Sequence, residues 1–172
     1  MSLVGFKAQN HGQQVGRRGA LDKVDDRRTP RPLWDALNAE HRFTLDVAAS
    51  AENALCPTFY TATDDGLAQP WHGSVWCNPP YSDCGAWVKK AHLEWCRPSV
   101  WCIVMLLPAN RTEQGWWQEQ VETRRDRSGG QLHTRFLPGR LRFDVPSGTY
   151  SDPRGNRPPF GCCLLTWKIK RA

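Results

Sequence analysis

The sequence predicts an α/β domain built on a mostly parallel β-sheet. Helical and strand patterns alternate along the chain between residues 29 and 121, as in parallel sheets connected by helices. The run 100–107 is continuously apolar, which is typical of a central parallel strand covered on both faces. A shorter run, 75–77, stops at Asn-Pro-Pro-Tyr (78–81), because proline cannot donate ladder hydrogen bonds. Open α/β sheets bind ligands at this carboxyl edge.

Length and composition indicate one folded domain. A chain of 172 residues can bury a core, and nine tryptophans supply apolar bulk that a disordered protein lacks. No stretch of about 18 apolar residues is present, so no membrane span is expected. Residues 1–19 lack the layout of a signal peptide, so we expect a cytoplasmic protein. We divide the chain into a flexible N-terminal arm, 1–26, and a single domain, 27–172.

The seven cysteines show no zinc-binding pattern. They are Cys56, Cys77, Cys84, Cys96, Cys102, Cys162 and Cys163. A structural zinc site would require paired Cys-x-x-Cys units, and the sequence contains none. Because no secretion signal is present, we expect reduced thiols that serve mostly as small core residues, and no metal.

The chain is basic, with a formal net charge of +6, and its 17 arginines outnumber its 6 lysines. Arginine forks match phosphate oxygens and base edges, so a nucleic-acid partner is one explanation of this excess. An ordinary solvated basic surface is the other explanation. Charge alone leaves both open.

The first element of the domain is a helix. Thr29 is a good N-cap, and Pro30 suits the first helical turn. Apolar residues then recur at helical spacing, which predicts one buried face containing Leu33, Trp34 and Leu37. This helix should end near Glu40.

A strand and a tight turn of small residues follow this helix. The run 43–47 alternates, so we expect the first parallel strand there, with Asp46 near its end. The carboxylate of Asp46 could accept hydrogen bonds from a ligand at the sheet edge, or it could cap a short helix over 50–55. A second strand is expected over 59–61, followed by a turn at 65–66.

A helix should follow the Asn-Pro-Pro-Tyr segment. Ser82 or Asp83 can cap it, and it should run to about Cys96 with Glu94 facing water. After the central strand, we expect a further helix over 112–121, capped by its first residue.

The last part of the chain predicts three strands. They cover 133–137, 140–145 and 160–167. The loop between the second and third, 146–159, is rich in Gly, Pro, Ser and Arg. We find no internal repeat and no second domain.

The Asn-Pro-Pro-Tyr segment has the groups needed to activate an amine conjugated to an aromatic ring, such as N6 of adenine. The lone pair of such an amine is delocalised, which makes it a poor nucleophile. The side-chain oxygen of Asn78 and the carbonyl of Pro79 could accept its two N–H groups and direct the lone pair at an electrophile. The prolines stiffen the loop, and Tyr81 could stack on the ring. The alternative is a turn that merely ends a strand.

Asn-Pro-Pro-Tyr after an apolar strand resembles the catalytic motif of S-adenosylmethionine-dependent amino-methyltransferases. Other segments between about residues 25 and 143 resemble, in the same order, the small phage and prophage DNA N6-adenine methyltransferases (Dam-like). They are Arg28-Thr29-Pro30, Leu33-Trp34, Leu45-Asp46-Val47-Ala48-Ala49, Asp65-Gly66-Leu67, Trp71, Trp87, Leu107-Pro108-Ala109 and Gly139-Arg140-Leu141. Only the four-residue motif in its setting is strongly specific.

The resemblance implies a Rossmann-like methyltransferase fold whose sheet is mostly parallel with an antiparallel last strand. It implies transfer of a methyl group from S-adenosylmethionine to an adenine flipped out of double-stranded DNA. The implied location is the cytoplasm of a bacterial host cell, for a phage- or prophage-encoded protein. A small enzyme without a recognition domain could also dimerise.

The resemblance also assigns residues. The catalytic set is Asn78, Pro79, Pro80 and Tyr81. The cofactor-binding set is Thr29, Pro30, Asp46, Ala48, Ala49, Asp65, Gly66 and Leu67. The candidate DNA contacts are Arg124, Arg125, Arg140, Arg142, Arg154 and Arg157.

The chain departs from the family pattern on the cofactor side. Val47-Ala48-Ala49-Ser50 stands where a Phe-x-Gly-x-Gly loop is expected. No acidic residue ends a clear second strand in a position to hold a ribose.

Other functions stay open. The same motif serves methylation of a protein glutamine amide or of guanine N2 in ribosomal RNA. A non-catalytic DNA-binding protein that kept the fold belongs to a different class, and the intact Asn78 and Tyr81 argue against it.

Overall fold

The computed structural model describes residues 28–144 and 158–168. Within these ranges the chain forms one six-stranded sheet with helices on both faces. The expected arm, 1–26, and the candidate DNA contacts Arg154 and Arg157 lie outside the described residues.

The sheet is mixed and mostly parallel, as expected. Its strands are β1 (Leu45–Asp46), β2 (Thr58–Phe59), β3 (Gly73–Cys77), β4 (Val100–Pro108), β5 (Leu132–Phe136) and β6 (Cys162–Lys168). The spatial order is β2-β1-β3-β4-β6-β5. Strands β1 to β4 pair in parallel, and β6 is antiparallel to both β4 and β5. The last strand therefore runs against the other five.

The direction in which strands are added reverses at β1, since β2 lies on one side of it and β3 on the other. Asp46 is in register with Trp76, so the carboxyl ends of β1 and β3 lie side by side. Such a switch point leaves a crevice in which open α/β folds bind ligands. The turn after β1 and the segment that begins at Asn78 meet there.

The core lies on both faces of β3 and β4. All of β3 is buried, and β4 buries every residue but Trp101. On one face, the Phe43 ring lies 5.4 Å from the Trp76 ring and 6.4 Å from that of Trp34 on helix α1 (Arg31–His41). Aromatic pairs of this kind add stability beyond the hydrophobic contribution of the surface area that they bury.

Helix α2 (Cys84–Trp95) covers the other face and follows a 3₁₀ turn. The Asp83 carboxylate accepts the Ala86 N–H at 3.4 Å, which confirms the expected cap. The Trp167 indole of β6 donates to His92 at 3.2 Å. This hydrogen bond links α2 to strand β6.

Glu94 does not face water, contrary to the expectation from its position on α2. Its side chain is 1% exposed, 2.7 Å from Lys90 Nζ and 3.1 Å from Arg97 Nε. A buried carboxylate is tolerated when cations and hydrogen-bond donors compensate its lost hydration. These cations are close in sequence, whereas a further donor, the main-chain N–H of Trp71, comes from 23 residues earlier.

Helix α1 is not capped by Thr29. Pro30 has extended backbone angles, and its carbonyl accepts the N–H groups of Leu33 and Trp34 at 3.0 and 3.1 Å, so it is the N-cap residue. Thr29 precedes a proline, which favours an extended backbone. Its side chain is buried instead at the crevice.

The short helix expected over 50–55 is a turn. The Asn53 side-chain oxygen accepts the Ser50 N–H at 2.7 Å, and the Ser50 carbonyl accepts the Ala54 N–H at 3.0 Å. Side-chain acceptors of this kind compete with a helical hydrogen-bond ladder.

The helix expected over 112–121 begins later and changes type. Gln114 is the N-cap of α3 (Gly115–Trp117), which continues as a π-helix over Gln118–Glu122. Thr112 is therefore not the N-cap, and its carbonyl accepts the Gln118 side-chain amide at 2.6 Å. Within the π-helix only Val121 is buried.

The strand expected over 140–145 is absent from its described part. Only Asp144 forms a β-bridge, with Arg28. β5 is the edge strand of the sheet, and the described part of this segment does not pair with its free edge. The segment joins the entry to α1 through main-chain hydrogen bonds of 3.1 and 3.2 Å.

Six of the seven cysteines are buried, which fits their expected role as core residues. Across 28–144 and 158–168, no three His, Cys, Asp or Glu side chains gather as metal ligands. In the same ranges, no helix is long and apolar enough to cross a membrane.

Candidate active site

A cavity of about 290 Å³ opens where the carboxyl ends of β1 and β3 meet. Its walls are the turn after β1, the loop after β2, the start of the Asn-Pro-Pro-Tyr segment and the Trp87 ring of α2. Six residues singled out from the sequence line it: Ala48, Ala49, Asp65, Gly66, Asn78 and Pro80.

A second, polar cavity of about 30 Å³ adjoins the first. Both are lined by Ala48, Asn53 and Asn78, so Asn78 lies between them. The small cavity also brings in two expected cofactor residues, Thr29 and Asp46. Pro30, another residue of the cofactor-binding set, lines neither cavity and is the N-cap of α1.

Asp46 shapes the turn after β1. Its carboxylate accepts the main-chain N–H of Ala48 at 3.3 Å and that of Leu55 at 3.2 Å. The side chain is buried, and desolvation raises its pKa to about 6, although these two hydrogen bonds act in the opposite direction. Of the two roles considered for Asp46, the structure supports local main-chain capping, but of a turn rather than a helix.

Gly66 brings the loop after β2 onto the end of β1. A Cβ atom added at Gly66 would overlap the carbonyl oxygen of Val47 and lie 3.0 Å from the Trp87 ring. Only glycine allows this approach. The preceding Asp65 has φ +56°, and its carboxylate accepts the Leu67 N–H at 3.1 Å. The expected turn is thus confirmed, with Leu67 packed on the core rather than lining the cavity.

The four-residue motif divides between cavity and core. Asn78 and Pro80 line the large cavity, whereas Pro79 is buried. Tyr81 is 8% exposed, and its ring lies 6.2 Å from Phe143 and 6.0 Å from the Phe160 ring. Its ring therefore packs against the segments that flank 145–157.

Comparison with known proteins identifies the family. The family model for DNA N-6-adenine-methyltransferase (Dam) matches residues 19–169. The chain belongs to the Dam family. The resemblance noted from the motifs is thereby confirmed.

Two curated relatives are similar to this Dam-family chain. The "DNA N-6-adenine-methyltransferase" of Escherichia phage T1 is 37% identical over 94 residues, covering 53% of this chain and 38% of that protein. The "Putative methyltransferase YfdM" of Escherichia coli (strain K12) is 36% identical over 70 residues, covering 36% of this chain and 77% of that protein. The chain thus spans well under half of the phage protein's length.

The candidate DNA contacts of this Dam-family chain differ in how strongly they are held. Arg125 is 2.9 Å from Glu122 and 3.0 Å from Asp126, which restrains its guanidinium and raises its pKa. Arg124 is exposed, and its guanidinium donates to the Glu119 carbonyl at 2.8 Å. The side chains of Arg140 and Arg142 are also exposed. None of the four lines the two cavities at Asn78.

The cavity-lining residues that sequence reasoning did not assign to a site include Arg28, Asn53 and Trp87. Arg28 and Asn53 line the small cavity, and Asn53 and Trp87 line the large one. The helical spacing identified Trp87 as buried but could not show that its ring reaches Gly66. Nothing in the local sequence distinguished Asn53, because its position depends on the turn that replaced a helix.

Proposed function

We propose that this protein transfers a methyl group from S-adenosylmethionine to N6 of adenine in duplex DNA. The observation that carries the proposal is the position of Asn78. It lines a cavity at the switch point of the sheet, directly beside the glycine-containing loop, in a chain of the Dam family. The arrangement fits a Rossmann-like methyltransferase, with a cofactor on the β1 side and a base on the β3 side.

The large cavity suits the cofactor. Ala48, Ala49 and Gly66 present little side-chain bulk, so a ligand can approach the main chain. Asp65 supplies a carboxylate at the rim, a group that accepts hydrogen bonds from hydroxyls or an amine. Thr29 and Asp46 border the adjoining polar space. When bound there, S-adenosylmethionine would supply an electrophilic methyl group.

Asn78 and Pro79 would activate the adenine. The Asn78 side-chain oxygen and the Pro79 carbonyl accept the two N6–H groups, so the nitrogen lone pair points at the methyl group. Two consecutive prolines hold both acceptors in place before the base arrives, which lowers the reorganisation needed in the transition state. Catalysis then rests on positioning and electrostatics.

The adenine would enter from the side of Tyr81. Because that ring is 8% exposed, stacking on a purine requires Phe143 or Phe160 to shift. A base buried in a duplex cannot reach this position, so the proposal includes base flipping. The exposed Arg140 and Arg142 would contact the phosphate backbone.

The proposal extends to the whole protein. It assigns 27–172 to a single methyltransferase domain preceded by an arm, 1–26, and places its action on DNA in the cytoplasm of a bacterial cell. A dimer would supply further DNA-contacting surface to a small chain.

A transfer experiment separates the proposed function from its alternatives. Purified protein is incubated with S-adenosylmethionine labelled in the methyl group and, in parallel, with unmodified duplex DNA, ribosomal RNA or protein extract. We expect label in the DNA. Label confined to RNA or protein would replace the proposal with one of the other methylation reactions. DNA binding without transfer to any substrate would support a non-catalytic DNA-binding protein.

A further inference from the structure

A buried line of hydrogen bonds connects α2 with the loop that lines the large cavity. Trp71 is 1% exposed and lines neither cavity. Its indole N–H donates to the carbonyl of Gly66 at 2.8 Å, and its main-chain N–H donates to the Glu94 carboxylate at 3.0 Å. Trp71 thus joins the cavity loop to a buried charge on α2.

The Glu94 end of this line is firmly held. Besides Trp71, the carboxylate contacts Lys90 and Arg97, so both of its oxygens have partners. Removing one partner from a buried ion pair is costly, because it leaves uncompensated charge. Helix α2 begins at Cys84, three residues after Tyr81, so the anchor belongs to the element that follows the catalytic motif.

The Gly66 end is held from two sides. Gly66 packs on the Val47 carbonyl and the Trp87 ring, as described above. The ring of Trp71 stacks on Trp87 at 6.3 Å with an interplanar angle of 27°. Pro70, which directly precedes Trp71, is also held, because its carbonyl accepts the Tyr60 hydroxyl at 2.8 Å. The loop is thus already closely packed at Gly66. The hydrogen bond from the Trp71 indole N–H then fixes the orientation of the Gly66 carbonyl.

We propose that Trp71, anchored by Glu94, is a positioning residue for the cofactor. It orients the 65–67 loop and thereby sets the affinity for S-adenosylmethionine without touching the ligand. This inference rests on the proposed function, because it takes the large cavity to be the cofactor site. The hydrogen-bonded loop and the cavity lining are the same segment, so loss of the indole N–H should affect cofactor binding more than DNA binding.

Trp71→Phe tests the proposal, since phenylalanine keeps an aromatic ring against Trp87 and removes only the indole N–H and part of the ring. Calorimetry measures the dissociation constant for S-adenosylmethionine, and a fluorescent duplex measures DNA affinity. We expect cofactor binding about tenfold weaker, the upper range for one hydrogen bond, with DNA affinity within about twofold. Hydrogen exchange of the ligand-free variant should be faster at 65–67.

Trp167→Phe is the matched control. Trp167 is equally buried and also donates its indole N–H, to His92, but it lies on β6 away from the cavity. This variant should lose stability and keep its cofactor affinity. Equal cofactor affinity in Trp71→Phe and wild type, or equal losses in Trp71→Phe and Trp167→Phe, would overturn the positioning role while leaving the proposed function intact.

A second variant covers the case in which Trp71→Phe does not fold. Glu94→Gln keeps an oxygen that can accept the Trp71 N–H but loses the charge that fixes it between Lys90 and Arg97. We expect a smaller loss of cofactor affinity, about two- to threefold, with faster exchange at 65–67. Unchanged affinity and exchange would contradict the anchor. A wild-type protein that binds no S-adenosylmethionine would instead defeat the proposed function itself.

Discussion

The main-chain N–H of Leu55 donates to the carboxylate of Asp46 at 3.2 Å, across the turn that follows β1. The same carboxylate accepts the N–H of Ala48. The turn occupies the place where the family pattern has a glycine loop, and here a buried carboxylate closes it. The proposed cofactor side of the site is thus organised by an acidic side chain and by Gly66.

Asp46 should make folding stability depend on pH. Burial raises its pKa in the folded protein to about 6 from an ordinary value of 3.8, so folding favours the protonated form. This contribution is fully present below pH 3.8 and is lost as pH rises through about 6. In urea titrations, we compare the unfolding free energy of wild type with that of Asp46→Asn. Relative to the variant, the wild-type value should fall by up to about 3 kcal/mol as the pH rises from below 3.8 to neutral. A difference that stays constant or rises would contradict the burial of this charge.

Gly66→Ala should damage the cofactor site. The added methyl group overlaps the Val47 carbonyl, so the loop must move away from β1. We expect a loss of about 1–3 kcal/mol in stability, and cofactor binding weaker by at least about tenfold in calorimetry.

Gly115→Ala is the matched control for this change, because a Cβ atom there meets nothing within 4 Å. It should leave cofactor binding unchanged. If Gly66→Ala binds the cofactor as tightly as Gly115→Ala does, the loop after β2 is not part of the cofactor site.

Asn78→Ala should abolish methyl transfer while cofactor binding stays within about threefold of wild type. The amide oxygen is assigned to the adenine amine, so its loss removes an interaction that matters in the transition state. Single-turnover transfer and calorimetry on the same preparation measure the two effects. Lost cofactor affinity would mean that Asn78 belongs to the cofactor side of the cavity.

Arg142 and Arg125 should differ as DNA contacts. Arg142 is exposed, whereas the Arg125 guanidinium is held by Glu122 and Asp126. Arg142→Ala should weaken DNA binding and lower the slope of log affinity against log salt by about 1, as expected for one lost phosphate contact. Arg125→Ala should change the slope much less. Equal slopes in both variants would remove Arg142 from the DNA-contacting set.

Local signals in the sequence were sufficient for strands β3 and β4 and for the position of Asn78 at the end of β3. The continuous apolar run of β4 predicted a strand buried on both faces, and the prolines after Cys77 ended β3 where they were expected to. Asp83 was the expected cap of α2. Each of these features depends on residues close to one another in the chain.

The features that were missed depend on distant partners. Glu94 is buried, and one of its donors is the main-chain N–H of Trp71, 23 residues earlier. Asp46 closes a turn instead of capping a helix because Leu55, nine residues later, returns to it. The segment 140–144 lies outside the sheet, and Asp144 instead bridges Arg28 at the start of the domain. Periodicity and capping rules contain no information about such contacts.

The central claim is tested most directly by identifying the methylated nucleoside. Unmodified duplex DNA is incubated with S-adenosylmethionine and either wild type or Asn78→Ala, then digested and analysed by mass spectrometry. We expect N6-methyladenine from the wild-type reaction and none above background from the variant. Methylated cytosine in place of adenine, or the same N6-methyladenine yield from both proteins, would contradict the assignment of Asn78 and its motif to adenine N6.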